Sequence, residues 1–331
     1  DIKTWNIVLN GWCVLGNVSE AKRFWKDILA SKCNPDLFTY GSFIHILTKK
    51  GKLGTALKLF KAMWEKGCNP DVVICNCIID ALCFKKRIPQ ALEVFREMND
   101  RGCLPNVATY NSLIKHLCKI QRMEKVYELV DEMEQKKGSC QPNDITYNYL
   151  LKSLKKQEEV SGVVGRMKRN GCKMTCDMYN LILKLYMDWD CQERVRCIWD
   201  EMENNGLGPD RRSYTIMIHG LYGKGRIDDA LCYFNEMTTK GMVPEPKTEF
   251  LTWNIVLNGW CVLGNVSEAK RFWKYILASK CNPESFTYGT YIHTLTKKGK
   301  LCTTLKLFRA MWEQGCNPDM VICNCIIDVL C

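Results

Sequence analysis

One asparagine recurs at the same helical phase of six repeated segments, at multiples of about 35 residues. These residues are Asn6, Asn76, Asn111, Asn148, Asn180 and Asn254. A carboxamide both donates and accepts hydrogen bonds, so a row of carboxamides suits the reading of polar edges on a ligand. A single helical asparagine is more often a solvated or capping residue. Its recurrence in one phase favours a shared binding role.

The motifs expected of an enzyme are missing from the sequence. There is no glycine-rich phosphate loop, nucleophile elbow or His-Glu-x-x-His pair. Cys75-Asn-Cys77 and Cys323-Asn-Cys325 each place two thiols on different faces of a helix, whereas a zinc site needs wider spacing and further ligands. Packing is therefore the favoured role for these cysteines. The 4 histidines fall in separate repeats. We expect no catalytic residue, no metal and no cofactor.

The asparagines belong to helical hairpins, of which Val107–Asn143 is the clearest. Apolar residues recur there at helical spacing in two runs, separated by a polar turn at Gln121 and Arg122. The segment Gly138–Pro142 ends the second run. Neither helix can bury its apolar stripe alone, so the hairpin must stack on copies of itself.

Nine such segments follow one another, and most are 35 residues long. Their predicted bounds are 2–36, 37–71, 72–106, 107–143, 144–175, 176–210, 211–245, 250–284 and 285–319. The fifth is about three residues short, and we place this deletion in the turn near 157–159. The prolines around 246–249 interrupt the period. The predicted organisation is therefore seven repeats in 1–245, a repeat-breaking linker at 246–249, and two further repeats plus one unpaired helix in 250–331.

The end of the chain nearly repeats its beginning. Residues 252–331 are identical to residues 4–83 at 68 of 80 positions, and the differences are scattered and mostly mild. A recent tandem duplication explains this more simply than an artificial join. The unpaired last helix would leave an apolar face uncovered. We therefore expect this end to contact another chain, for example in self-association, or to continue in the natural protein.

Composition sets broad limits. The chain is 47% hydrophobic, enough for a substantial core, and has no apolar run of the roughly 18 residues that a membrane span needs. Its net charge of +11 fits either an anionic partner or a role in solubility. Most of the 21 cysteines recur at packing positions, so we expect free thiols in a reducing compartment. No signal or transit segment precedes Asp1, and we expect a mature or excised piece.

Two recurring motifs carry a family resemblance. Repeats open with a Thr-Tyr/Trp-Asn motif, as at Thr4-Trp5-Asn6 and Thr109-Tyr110-Asn111, and close with segments such as Gly67–Asp71 and Gly206–Asp210. The tetratricopeptide pattern and its period of 34 residues are missing. The whole chain resembles the pentatricopeptide repeat family of plant organelles, and the repeat lengths resemble its P subclass.

The resemblance implies an all-α fold, a right-handed α-solenoid of helix-turn-helix repeats about 35 residues long. It implies sequence-specific binding of single-stranded RNA, one base per repeat. It also implies a role without catalysis in organellar RNA stabilisation, processing or translation, with the mitochondrion favoured over the chloroplast. The alternative is a protein-binding helical-repeat scaffold, for example on an organellar ribosome.

The resemblance further assigns base reading to the fifth and last residues of each repeat, which we call the reading pair. Complete pairs are Asn6 with Asp36, Asn76 with Asn106, Asn111 with Asn143, Asn148 with Thr175, Asn180 with Asp210, Thr215 with Glu245, and Asn254 with Glu284. By resemblance, Asn–Asp implies uracil, and Asn–Asn and Asn–Thr imply cytosine with some tolerance for uracil. Thr–Glu points weakly to guanine. Gly41 and Gly289 have no side chain to read a base, so the second and ninth repeats are expected to be silent. The expected RNA target is pyrimidine-rich.

Two more sets of residues follow from the resemblance. The second residue of a repeat is expected to wedge between bases, and the apolar residues there are Phe38, Val73, Ile145, Leu251 and Phe286. Asp177 holds this position in the sixth repeat and is unsuited to a polyanion. Lysines at the thirteenth position, expected at the end of the first helix, would contact phosphates; they are Lys49, Lys119, Lys156 and Lys297.

Overall fold

Helices are the regular secondary structure of the described part of the chain. The computed structural model describes residues 2–31, 33–136, 138, 140–242, 250–278 and 283–330. The chain divides into two compact units, Asp1–Lys173 and Met174–Cys331. The predicted linker at 246–249 lies outside the described residues, so that domain boundary stays a prediction.

The first unit consists of helical hairpins. Its helices are α1 (Ile2–Val14), α2 (Val18–Ala30), α3 (Leu37–Lys49), α4 (Leu53–Glu65), α5 (Val72–Phe84), α6 (Ile88–Asp100), α7 (Val107–Lys119), α8 (Met123–Gln135), α9 (Asp144–Ser153) and α10 (Glu158–Arg169). The odd-numbered helices are the first helices of their repeats. Each contacts its own second helix, and α1, α3, α5 and α7 each also contact the first helix of the next repeat. The first helices α1, α3, α5, α7 and α9 therefore form one continuous layer.

The second unit repeats this arrangement. Its helices are α11 (Cys176–Asp188), α12 (Gln192–Asn204), α13 (Arg211–Gly223), α14 (Ile227–Thr239), α15 (Phe250–Val262), α16 (Val266–Ala278), α17 (Ser285–Lys297), α18 (Leu301–Glu313) and α19 (Met320–Leu330). Here too, each first helix contacts the first helix of the following repeat. The all-α repeat fold expected from the sequence is confirmed.

The predicted repeat boundaries agree with the helices. Each first helix begins at the first residue of a predicted repeat, as α3 does at Leu37 and α13 at Arg211. In the fifth repeat, however, the missing residues are not where the sequence placed them. Helix α9 has 10 residues where α7 has 13. Leu154 then leaves the helix in an extended conformation and is buried. The placement of the deletion near 157–159 was therefore wrong, because the last turn of the first helix is what is missing.

Each first helix in the first unit after α1 begins at a side-chain cap provided by the last residue of the preceding repeat. Asp36 accepts a hydrogen bond from the Thr39 backbone N–H at 2.9 Å, and Asn143 accepts one from Thr146 at 3.1 Å. Such caps stabilise a helix by about 1 kcal/mol. The hairpin turn usually ends at a glycine with positive φ, such as Gly51 at 71°. Gln121 adopts this conformation in the fourth repeat.

A buried aromatic ring at the fourth position of the repeat anchors the two helices of a hairpin. These rings are at most 2% exposed: Tyr40, Tyr110, Tyr147, Tyr179, Tyr214, Trp253 and Tyr288. Tyr110 also donates a hydrogen bond from its hydroxyl to Glu132 of α8 at 2.7 Å. The aromatic residue of the Thr-Tyr/Trp-Asn motif therefore packs between helices.

Three further features were expected from the sequence: no membrane-spanning segment, free thiols and an uncovered apolar face on the last helix. In the described residues no helix is long and apolar enough to span a bilayer. The cysteines of the described part are free thiols. Helix α19 packs on α17 and α18 and exposes apolar side chains, including Met320 and Val321.

Candidate functional site

Among the described residues, a hydrogen bond joins the fifth and last residues of the same repeat in four repeats. The fifth-position amide nitrogen donates to the last residue in Asn6–Asp36 at 3.1 Å, Asn76–Asn106 at 3.4 Å, Asn111–Asn143 at 3.2 Å and Asn180–Asp210 at 3.1 Å. The same bond recurs because the N-cap of one helix lies beside the first turn of the preceding first helix. These side chains therefore share one orientation relative to their repeats.

The two members of a reading pair differ in exposure. Asn6 and Asn111 are each 8% exposed, and Asn180 is fully buried. Asp36 is exposed, and Asn143 is half-buried. A ligand in the groove along the first helices would thus meet mainly the last residue of each pair, with the asparagine behind it.

The helix cap fixes which atom of the last residue points outward. The Asn143 Oδ1 atom accepts both from the Thr146 backbone N–H and from the Asn111 amide nitrogen. Because a backbone N–H can only donate, the Asn143 amide is held with its oxygen inward. Its Nδ2 group, a donor, is left facing away from the cap.

In the other class of pair the last residue is a carboxylate. Burial alone would raise the pKa of Asp36, but hydrogen bonds from Thr39 and Asn6 outweigh it and hold that pKa below its ordinary value. The pKa of Asp210 is lowered in the same way by Ser213 and Asn180. Both groups are ionised at neutral pH and present only acceptors.

Three predicted pairs are not formed in this way or are not described. The Glu284 side chain makes no capping hydrogen bond, and glutamate is not among the residues preferred at an N-cap. Glu245 lies outside the described residues, and its partner Thr215 donates instead to the Arg211 carbonyl in its own helix at 3.0 Å. Asn148 and Thr175 belong to different units, so that pair stays a prediction.

The glycines at the fifth position of the second and ninth repeats accommodate a neighbouring isoleucine. A Cβ atom at Gly41 would lie 3.3 Å from Ile74 Cδ1, and one at Gly289 would lie 3.2 Å from Ile322. Asp71 caps Ile74 at 2.9 Å but has no fifth-position partner in its own repeat. A cavity of about 750 Å³ opens beside Gly41 and is lined by Phe38 and Val73 among others.

The apolar residues proposed as wedges are all exposed. Phe38, Val73, Ile145, Leu251 and Phe286 expose between 48% and 63% of their surface. Large apolar side chains exposed at one recurring position need a reason beyond packing.

The sixth repeat has an acidic residue in place of a wedge. Asp177 forms an ion pair with Arg212, the equivalent residue of the seventh repeat, at 2.9 Å. Both side chains are well exposed, so the pair adds little stability. It does neutralise the negative charge that made this repeat unsuited to a polyanion.

Three of the four candidate phosphate lysines are placed as expected. Lys49, Lys119 and Lys297 are exposed and end α3, α7 and α17. The expected helix-end position of Lys156 was wrong. Because α9 stops at Ser153, Lys156 lies exposed in the loop before α10.

Sequence reasoning missed one set of residues, the hydroxyls at the third position of the following repeat. Each donates to the Oδ1 atom of a fifth-position asparagine: Thr39 to Asn6 at 2.6 Å, Thr146 to Asn111 at 2.7 Å, Ser213 to Asn180 at 2.6 Å and Thr287 to Asn254 at 2.7 Å. For the first three, the Asp/Asn-x-x-Thr/Ser spacing of a capping box was the available signal.

Known sequence families account for most of the chain. The model described as "PPR repeat family" matches residues 1–49, 70–119 and 105–156, and that described as "PPR repeat" matches 38–68, 212–242 and 251–281. The "Pentatricopeptide repeat domain" model matches 152–188. The chain belongs to the pentatricopeptide repeat family.

Curated relatives in the pentatricopeptide repeat family come from Arabidopsis thaliana. A putative pentatricopeptide repeat-containing protein is 67% identical over 76% of this chain and 48% of its own length. Another, named mitochondrial, is 37% identical over 75% of this chain and 44% of its own length. The chain thus spans about half the length of the curated relatives it matches.

Solved structures of pentatricopeptide repeat proteins are also similar to this chain. PPR10 from maize has a TM-score of 0.49 and 21% identity, covering 100% of this chain and 56% of PPR10. PPR10 in complex with an 18-nt psaJ RNA element gives a TM-score of 0.49 and 20% identity, covering 99% of this chain and 51% of that one.

Within the described residues no three His, Cys, Asp or Glu side chains converge as metal ligands.

Proposed function

We propose that this pentatricopeptide repeat protein binds single-stranded, pyrimidine-rich RNA with one repeat per base, and has no chemistry of its own. The observation that carries the proposal is the recurrence of one reading-pair geometry in four repeats. The helix cap alone does not require the fifth-position asparagine, since Asp71 caps its helix without such a partner.

The outward-facing atom supports the base assignments. Uracil presents an N3–H donor, from which the ionised carboxylate of Asp36 or Asp210 can accept a hydrogen bond. Cytosine presents N3 as an acceptor, which the Nδ2 group of Asn106 or Asn143 can satisfy. Donor meets acceptor in each case, and the mismatched base would leave two like groups opposed. The Asn–Asp pairs therefore favour uracil and the Asn–Asn pairs favour cytosine.

The exposed apolar residues and the lysines supply contacts that do not depend on sequence. Phe38 or Phe286 can stack on a base, an interaction worth about 1–3 kcal/mol per base. Lys49, Lys119, Lys156 and Lys297 are positioned to contact phosphates. We expect these contacts to provide most of the affinity and the reading pairs to provide the selectivity.

Sequencing the RNA that the purified chain selects from a random single-stranded pool tests the proposal. We expect an enriched pyrimidine-rich motif, and we expect the combined substitution of Asn76, Asn111 and Asn148 by alanine to abolish that enrichment. The matched control replaces three exposed second-helix asparagines by alanine: Asn99, Asn204 and Asn235. If the unmodified chain selects RNA without any base preference, only the net charge of +11 would still support RNA binding. That result would favour a protein-binding scaffold.

Salt dependence gives an independent prediction. With four lysine–phosphate contacts at about −0.7 each, the slope of log K against log salt should be about −3. Replacing Lys49, Lys119 and Lys297 by alanine should reduce it to about −0.7, because one contact remains. Fluorescence anisotropy over a series of KCl concentrations measures both slopes.

The control for that measurement removes the same charge elsewhere. Lys58, Lys61 and Lys306 are exposed on the second helices α4 and α18. Alanine at these three positions should leave the slope near its original value. Equal reductions in the two triple variants would mean that net charge, and not the lysines at the helix ends, governs binding.

The cellular role follows from occlusion of the bound RNA. A covered segment resists nucleases, cannot fold on itself and can be presented to processing or translation factors. We propose a P-subclass protein of the mitochondrion, with the chloroplast as the alternative. Several relatives are named mitochondrial, and one is named chloroplastic. Self-association through the exposed apolar residues of α19 is a further expectation.

A further inference from the structure

The reading pairs have a third member that contacts both of the others. In the fourth repeat, the Thr146 hydroxyl donates to Asn111 Oδ1 at 2.7 Å, approaches Asn143 Oδ1 at 3.1 Å and accepts from the Asn143 backbone N–H at 3.2 Å. Thr146 is fully buried. Thr39 and Ser213 make the corresponding contacts around Asn6 and Asn180.

We propose that this third-position hydroxyl is a positioning residue that sets the selectivity of base reading without touching the base. This inference rests on the proposed RNA binding and extends it to residues outside the reading pair. The hydroxyl would hold the asparagine amide in one of its two orientations. Only in that orientation does the asparagine Nδ2 group donate to the inward oxygen of the last residue, which leaves the other polar atom of that residue facing outward.

The argument follows from the burial of the asparagine. Asn111 is almost enclosed, so its Oδ1 atom needs a protein donor in place of water. The Thr146 hydroxyl is that donor. Without it, Oδ1 either stays buried without a donor, as it does in Asn76 among the described residues, or is satisfied when the amide turns toward the groove. The turned amide would offer a base both a donor and an acceptor, so it could pair with either pyrimidine.

The third repeat provides a natural contrast. Thr109 donates to the last residue, Asn106, at 3.1 Å, and Asn76 Oδ1 is buried without a hydrogen-bond partner in the described residues. The bond from Asn76 to Asn106 is also long, at 3.4 Å. Two repeats with the same Asn–Asn pair thus differ in whether the hydroxyl holds the amide. We expect the third repeat to discriminate between cytosine and uracil less well than the fourth.

The test compares Thr146→Val with Thr146→Ser. Valine keeps the shape and removes the hydroxyl, whereas serine keeps the hydroxyl, as Ser213 does in its own repeat. Each purified variant is measured against the RNA selected by the unmodified chain and against variants with one base changed. We expect Thr146→Val to reduce cytosine-over-uracil preference at the fourth repeat's base about five- to tenfold, the equivalent of one neutral hydrogen bond. Preferences at the other bases should stay the same. Thr146→Ser should keep the cytosine-over-uracil preference that Thr146→Val loses.

The outcomes separate this inference from the proposed function. If the unmodified chain selects no RNA, the proposed function fails, and the inference fails with it. If it selects RNA and Thr146→Val retains full preference at that base, the inference alone is overturned. An equal loss at every base would indicate a purely structural role and would also overturn it. Circular dichroism checks folding, and should Thr146→Val unfold, Thr39→Val provides the same comparison at the base read by Asn6 and Asp36.

Discussion

Replacing Asn143 by aspartate is expected to switch the preferred base of the fourth repeat from cytosine to uracil. The substitution changes the outward Nδ2 donor into a carboxylate acceptor. It retains both the cap on Thr146 and the bond from Asn111, because an aspartate oxygen accepts in each place. The result would be the Asn–Asp arrangement that Asn6 and Asp36 already show. A correct donor–acceptor match is worth about 1–3 kcal/mol, so the preference should change by about tenfold or more in each direction.

Competition binding with two RNAs that differ only at that base measures this switch. Asp210→Asn is the reciprocal control, because it should move the sixth repeat from uracil toward cytosine. Thermal unfolding should be nearly unchanged in both variants, since aspartate and asparagine cap helices about equally well. A preference that stays with cytosine in Asn143→Asp would show that the last residue does not choose the base.

Gly220→Ala is expected to destabilise the protein, although alanine is the better helix former by about 1 kcal/mol. Gly220 lies in α13 where it faces Met187 of α11. A Cβ atom there would overlap the Met187 side chain, including its sulfur at 2.8 Å. Met187 is only 5% exposed and has little room to move. Overpacking of this kind costs about 1–3 kcal/mol.

Circular dichroism melts check this prediction against a control in the same helix. At Gly223 an added Cβ would meet nothing within 4 Å. Gly223→Ala should therefore leave the midpoint unchanged or raise it slightly. Gly220→Ala should lower the midpoint by about 2–4 °C for each kcal/mol lost. Equal midpoints for the two variants would mean that Met187 repacks without cost.

The sequence predicted the hairpins well because their periodicity is a local property. Each first helix begins where the repeat period placed it. In most repeats the residue that ends one repeat also caps the next helix, as Asp36 does for α3. The predicted position of the deletion in the fifth repeat was wrong, because the shorter length of the repeat does not show which residues are missing. Only the packing of Leu154 shows that α9 loses its last turn. The helix-end position of Lys156 was wrong for the same reason.

The candidate site was only partly predictable. The resemblance identified the reading pairs, but it could not show that Asn180 is fully buried or that Ser213 donates to it. Those facts depend on how two neighbouring hairpins pack, which residue types alone do not determine. The failure of Glu284 to cap likewise depends on the geometry of the helix start.

The double duty of the last residue has an evolutionary consequence. In the proposed function the same side chain both caps a helix and reads a base. Selection for a new RNA target would then draw freely only on residues that also initiate helices well: aspartate, asparagine, serine and threonine. Larger polar residues would add further base contacts but would cap the following helix poorly and so reduce stability. Retargeting of this repeat array, in nature or by engineering, should therefore proceed most readily by exchanges within that short set.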